Sequence, residues 1–285
     1  MVDCQPYWKA NPDPSMHPVI ISIFTTLYAL IFVSGFVGNV AVLVVTFKNR
    51  SLQSVQNIFL LNLAASDILM CLLSIPVTPV TLIMKEWYFG GIACKTVSFI
   101  QALGVFVSTF SLCAIAIDRY IRIIIAPGKP LQRKQAFHIT YVIWILSAVV
   151  SLPYVYPDIC GVFCIEQWPN ERARHVFTFS VLLIQFVIPL TILSICYHSI
   201  MTCFNAVMFD RDLLFKLLHL SKRRMLLWRQ KKRLTTLLIA TVAIFGFTAL
   251  TNNISSIIFD YDTDATFLVI NGHDFFYLVN LFTHW

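Results

Sequence analysis

Asp67 stands in the middle of the apolar run Ile58–Met84, in Leu63-Ala-Ala-Ser-Asp67, and is the only charge in that run. Asn39 is similarly placed in Val19–Phe47, Gln101 lies in Cys94–Ile117, and Asp118-Arg119-Tyr120 follows directly after it. Polar groups in apolar stretches are costly unless paired, so each marks a site by default. What they can do is recognise and switch. No C-x-x-C pair, His-x-x-x-His spacing or phosphate loop occurs, so no metal, cofactor or enzymatic catalysis is expected. Of eight cysteines, Cys71, Cys113, Cys196 and Cys203 fall in or near apolar runs and read as small packing residues. Cys4, Cys94, Cys160 and Cys164 fall together on the extracellular side, where disulfides persist. Spacing alone does not say whether Cys160 or Cys164 pairs with Cys94. The sequons Asn49-Arg-Ser51 and Asn253-Ile-Ser255 are discounted, one as cytoplasmic and one as inside a span.

The elements that must carry these residues are membrane spans. Of 285 residues, 58% are hydrophobic and 12% charged, too little polar surface for a water-soluble chain of this size. Val19–Phe47 runs 29 residues without a charge, beyond the ~20 that cross a bilayer. Comparable runs cover Ile58–Met84, Cys94–Ile117, Ala136–Tyr156, Val176–Met208 and Leu234–Phe259, and another begins at Phe275 and reaches Trp285. The expected fold is all-α, a seven-transmembrane helix bundle with six complete spans and a partial seventh. Residues 1–18 form an extracellular segment without a cleavable signal, and residues 19–285 form one domain. Pro189, inside an apolar run, predicts a kink or bulge. Cys94 and Arg119 are 25 residues apart, about 37 Å of helix, which places them at opposite membrane faces.

Basic residues set the orientation. Sixteen of the 21, including all of those between Arg211 and Arg233, fall on one side with three acidic residues. Five fall on the other, against ten acids that include Glu166, Asp260, Asp262, Asp264 and Asp274. The N-terminus is therefore outside and the basic face cytoplasmic, where it meets anionic lipid. The partner implied by composition is the bilayer, with the plasma membrane as location; nothing points to nucleic acid.

Gly38-Asn39, Leu63-Ala-x-x-Asp67, Trp87-x-Phe-Gly90, Cys94, Asp118-Arg119-Tyr120, Trp144, Pro189 and Tyr197 occur in order on successive spans. In this set the chain resembles rhodopsin-like G-protein-coupled receptors over nearly its whole length. Thr78, Gln101, Cys164-x-x-x-Trp168-Pro169, Gln185, Ile257-Ile-Phe-Asp260-Tyr261 and His284 narrow the resemblance to neuropeptide Y and invertebrate neuropeptide F-like receptors. That resemblance implies a peptide pocket holding Thr78, Gln101, Gln185, Asp260 and His284. The acid at 260 would pair with an arginine of an amidated peptide. It also implies a Cys94–Cys164 disulfide, an Asn62–Trp144 hydrogen bond, and a pocket of Asp67 and Ser108 where related receptors hold sodium. Asp118, Arg119, Tyr120, Tyr197, Pro189 and Phe245 would serve activation and contact with a heterotrimeric G protein.

Two departures stand against this pattern. The sixth run reads Phe245-Gly-Phe-Thr-Ala249-Leu-Thr251 where such receptors carry Phe-x-x-x-Trp-x-Pro, and Lys231 stands where an acid often partners Arg119. The run ending at Trp285 stops before the Asn-Pro-x-x-Tyr segment. The chain as written is therefore expected to bind sodium weakly and to signal poorly. A non-signalling receptor remnant or truncated isoform is the alternative. A seven-helix transporter or pump is less favoured, because Asp67 is the only ionisable group well inside a span.

Overall fold

A computed structural model describes residues 17–49, 55–84, 87–125, 131–155, 157–160, 163–166, 168, 170–214, 233, 235–236, 239–240, 242–244, 246–247, 250 and 254. Five helical stretches among them are long and apolar enough to cross a membrane: Pro18–Lys48, Val55–Thr81, Gly90–Ile125, Arg133–Val155 and Glu171–Asn205. Their outward residues are apolar, as Leu30, Phe47, Val142, Leu146 and Ile195 show. Only a lipid solvent makes such surfaces stable, and a helix suits it because it bonds most of its backbone polar groups internally. The few described residues of the sixth apolar run, the first at 235 and the last at 254, are helical; the seventh lies outside the described residues.

Two compact units make up the chain, Met1–Ser111 with Gln132–His175, and Leu112–Leu131 with Val176–Trp285. In the first, α1 (Pro18–Lys48) starts on Pro18, whose missing N–H costs nothing in a first turn. The His17 ring accepts from the Val19 amide at 3.4 Å. Within this unit α1 packs against α2 (Val55–Leu73), which also meets α5 (Arg133–Ser151). The second apolar run is not one uninterrupted helix. It breaks at residues 74–76 and resumes as α3 (Val77–Met84), because Pro76 cannot donate a helical hydrogen bond. Both Ser74 and Ile75 instead donate to the Met70 carbonyl.

α4 (Gly90–Tyr120) is the most buried of the five spans. Its first residue, Gly90, has φ 76°, a left-handed conformation that a side chain would strain, and its carbonyl accepts from the Trp87 indole at 2.8 Å. Lower on α4, a Cβ built on Gly104 would lie 2.6 Å from both Cγ and Sδ of Met70, so bare backbone is what lets α2 approach. Before α6 (Glu171–Leu182), β1 (Pro157–Cys160) and β2 (Phe163–Glu166) pair antiparallel, with Ile159 opposite Cys164. This small hairpin is a non-helical addition to the expected all-α plan.

In the second unit, α4 continues as a π-helical turn, Ile121–Ile125. A second π turn, Leu183–Val187, leads into α7 (Ile188–Leu214), with the Ile188 amide reaching back five residues to Leu183. Pro189 explains it: without an N–H it leaves the Gln185 carbonyl unclaimed four residues earlier, and the helix widens there. The unit's core joins Cys113 and Ala116 of α4 to Leu193, Cys196, Tyr197, Ile200 and Phe204 of α7, with Val242 of the sixth run. These residues recur at spacings of three and four, the apolar stripe of a helix face.

Candidate functional site

Three groups of polar side chains occupy the spans. The outermost is built on α4's first turns. Cys94, fully buried, is bonded to Cys164 with Cα atoms 5.8 Å apart, which ties the hairpin to the head of α4. The choice between Cys160 and Cys164, open on spacing, falls on Cys164. Thr78 is half-buried on α3 and donates to the Ser74 carbonyl at 2.9 Å; Gln101 is half-buried two turns below Cys94. Gln185, in the other unit, is half-buried on the π turn before Pro189. Asp260 and His284 lie outside the described residues, as do Phe245, Ala249, Thr251, Lys231 and Cys4.

The middle group is a seam of hydrogen bonds through the first unit. Trp144 of α5 donates its indole N–H to Asn62 Oδ1 at 2.6 Å, and Asn62 Nδ2 donates to Ser111 at 2.7 Å. Ser111, fully buried, donates its own proton to the Val107 carbonyl at 2.6 Å. One turn along α2, Ser66 and Ser108 hydroxyls meet at 3.2 Å, and Ser108 reaches Asp67 Oδ1 at 3.5 Å. Asn39 of α1 lies beside Asp67 and donates to the Gly35 carbonyl at 2.9 Å. A carboxylate in a span is tolerable only with such company. Ser66 and Ser111 do not stand out in the sequence; their spacing from Ser108 along or across neighbouring helices is the available signal.

At the inner end, Asp118 and Arg119 are both buried, with 4% and 7% exposure, although this is where charge is hardest to keep dry. Arg122 donates to Asp118 Oδ1 at 3.2 Å. Arg119's electrostatic neighbours are Tyr197, Asp118 and Arg122. Tyr197 is 6% exposed on α7, inside the apolar cluster that Tyr120 also packs against. Arg122 has no site role in the sequence reading, although its i,i+4 position from Asp118 is the spacing of a helical ion pair.

One helix carries an anchored outer end, a polar middle and a buried cationic inner end. The sequence profile of the rhodopsin-family seven-transmembrane receptors matches residues 38–284. The chain belongs to that family. Its fold is accordingly the seven-transmembrane helix fold with the N-terminus outside, and it is a multi-pass protein of the plasma membrane. Among its relatives, neuropeptide receptor npr-1 of Caenorhabditis elegans is 38% identical over 99% of this chain and 70% of that protein. Neuropeptide Y receptor type 6 of Mus musculus is 32% identical over 93% of this chain and 74% of that protein. The neuropeptide F receptor of Drosophila melanogaster is 30% identical over 89% of this chain and 55% of that protein. Rhodopsin-family receptors are a non-enzymatic receptor class.

Proposed function

We propose that the chain is a neuropeptide receptor, binding an extracellular, C-terminally amidated peptide that contains arginine and activating a heterotrimeric G protein. The observation that carries the reading is α4 itself. It is one continuous helix, fixed outside by Cys94–Cys164 and bearing Asp118-Arg119-Tyr120 inside beside Tyr197. Relatives named as neuropeptide receptors support the ligand class. In this reading Thr78, Gln101, Gln185 and His284 line the peptide pocket, and Asp260 anchors the peptide arginine by a charge-assisted pair. Asp67 and Ser108 face a separate small polar cavity, where a sodium ion would be weakly held or not at all. The peptide acts only through its greater affinity for the state in which the sixth helix moves outward and uncovers Arg119, Tyr120 and Tyr197 to the G protein.

A double-mutant cycle tests the anchor. Asp260→Ala weakens binding of the amidated peptide by about 2–4 kcal/mol where the pair is desolvated, and barely weakens its Arg→Ala analogue. Equal losses for both peptides contradict the contact. A second reading, a receptor that binds without signalling, is favoured by Ala249 and Thr251. Normal peptide binding without G-protein activation would decide for it.

A further inference from the structure

Ahead of α4, the stretch Trp87-Tyr-Phe-Gly-Gly-Ile-Ala-Cys94 carries no charged residue. A turn facing water would expose polar side chains, but this one exposes apolar and aromatic ones. Ile92 is 86% exposed and Tyr88 63%, and Phe89 and Met84, the last residue of α3, are exposed beside them in sequence. Single exposed apolar residues need no explanation, whereas several along one short segment mark an interaction surface. The turn is braced to hold them out. The Trp87 indole donates to the Gly90 carbonyl at 2.8 Å, and its ring meets Phe89 edge-on with centroids 5.4 Å apart. Gly90, at φ 76°, then turns the chain into α4.

The level of the turn says what covers it. Ile92 precedes Arg119 by 27 residues of α4, about 40 Å of helix, or ~38 Å across the bilayer at an average tilt of ~20°. Hydrocarbon and headgroups together measure about 40–45 Å, so with Arg119 at the inner boundary Ile92 lies among the outer headgroups. Tyrosine favours that layer because its ring suits the acyl side and its hydroxyl the wet side. We propose that the turn Trp87–Ile92 is a membrane-interface anchor, with Tyr88, Phe89 and Ile92 dipping into the headgroup–acyl boundary of the outer leaflet. The occupant of the patch is phospholipid, not peptide and not another segment of the chain. With no charge between Trp87 and Cys94, the surface it fits is zwitterionic lipid. Ile92 is two residues from Cys94, so the head of α4 is held twice, by lipid through this turn and by the hairpin through Cys94–Cys164. The anchor is independent of the peptide and G-protein reading above.

The test uses the full chain in phosphatidylcholine nanodiscs, with Ile92→Trp, Tyr88→Trp and Glu171→Trp made one at a time. Glu171, exposed and charged at the head of α6, is the aqueous reference. Subtracting the emission of the native chain isolates the added indole. Phosphatidylcholine brominated near its headgroup removes most of the added emission at positions 92 and 88. Bromines at the chain end remove less, and aqueous iodide removes little. At position 171 iodide is the effective quencher. Tyr88→Trp carries the test where Ile92→Trp does not fold, folding being read from an intact Cys94–Cys164 bond. Quenching by iodide at positions 92 and 88 would put the turn in water, and quenching by neither agent would put protein over it; both overturn the proposal. Stronger quenching by chain-end bromines overturns it as well, since the turn would then lie in the acyl core. Saturating amidated peptide leaves the bromine quenching unchanged, whereas its loss would give the patch to the peptide. Finally, Phe89→Asp with Ile92→Asp in the Tyr88→Trp chain shifts the indole from bromine to iodide quenching. An unchanged pattern there would show that these side chains do not anchor the turn, and would overturn the proposal.

Discussion

Asn62 joins three helices through two short hydrogen bonds, and Asn62→Ala removes both. The residue is 5% exposed, accepts from Trp144 at 2.6 Å and donates to Ser111 at 2.7 Å. Side-chain hydrogen bonds between membrane helices average about 0.6 kcal/mol and reach about 1.7. Both bonds here are short and dry, and the substitution also leaves the buried Trp144 N–H without its acceptor. The loss is therefore about 1–3 kcal/mol, and a fall of roughly 2–4 °C in Tm per kcal/mol gives about 2–12 °C. Thermal unfolding of purified receptor should be followed for Asn62→Ala, Trp144→Phe and the double variant. A coupling of about 0.6–1.7 kcal/mol is expected between the two positions. Ser111 adds a control, since Ser111→Ala costs less than Asn62→Ala: Ser111 keeps no claim on Trp144. Additivity within about 0.3 kcal/mol would refute the reasoning, because it would leave the 2.6 Å contact without energetic content.

The other predictions concern the outer end, the α2–α4 contact and the sixth span. Cys94→Ser releases the hairpin from α4 and should weaken peptide binding at least about tenfold, or ~1.4 kcal/mol, with undiminished affinity counting against an outer pocket. Gly104→Val puts a branched side chain where Met70 Cγ and Sδ would be 2.6 Å away, so unfolding should become easier by about 1–3 kcal/mol. Adding Met70→Ala should recover most of that loss; no recovery would mean that the strain lies elsewhere. Ala249→Trp with Thr251→Pro introduces a large ring and removes a backbone N–H, and should raise peptide-driven nucleotide exchange. Unchanged exchange at equal surface expression would show that neither departure limits signalling.

The spans were legible because lipid imposes a coarse rule: charge-free runs such as Val19–Phe47 appear as α1 with ends displaced by one residue. Local departures were harder. Pro189 announced a distortion, which became the π turn at Leu183–Val187, whereas Pro76 gave a break that a continuous apolar run concealed. The hairpin at 157–166 left no periodic signal, since two four-residue strands are too short to show one. Within the site, composition said that Asp67 and Trp144 need partners but not which ones. The Asn62–Trp144 and Cys94–Cys164 pairings followed from resemblance, not from spacing. Arg122 was hidden by familiarity: Asp118-Arg119-Tyr120 drew attention to adjacent residues, while the hydrogen bond skips to the next turn.

In the proposed function, peptide binding outside and G-protein coupling inside are one equilibrium, joined through α4. Linkage makes this measurable in a single experiment, because a G protein that prefers the active state must raise peptide affinity by the factor that peptide raises its own. The affinity of an amidated, arginine-containing peptide should be measured in nanodiscs with and without nucleotide-free heterotrimeric G protein, for native receptor and Arg119→Ala. Binding should be tighter with G protein, by about tenfold or ~1.4 kcal/mol, with no such gain in Arg119→Ala. Equal peptide affinity with and without G protein in the native chain, or a gain that survives Arg119→Ala, would contradict it.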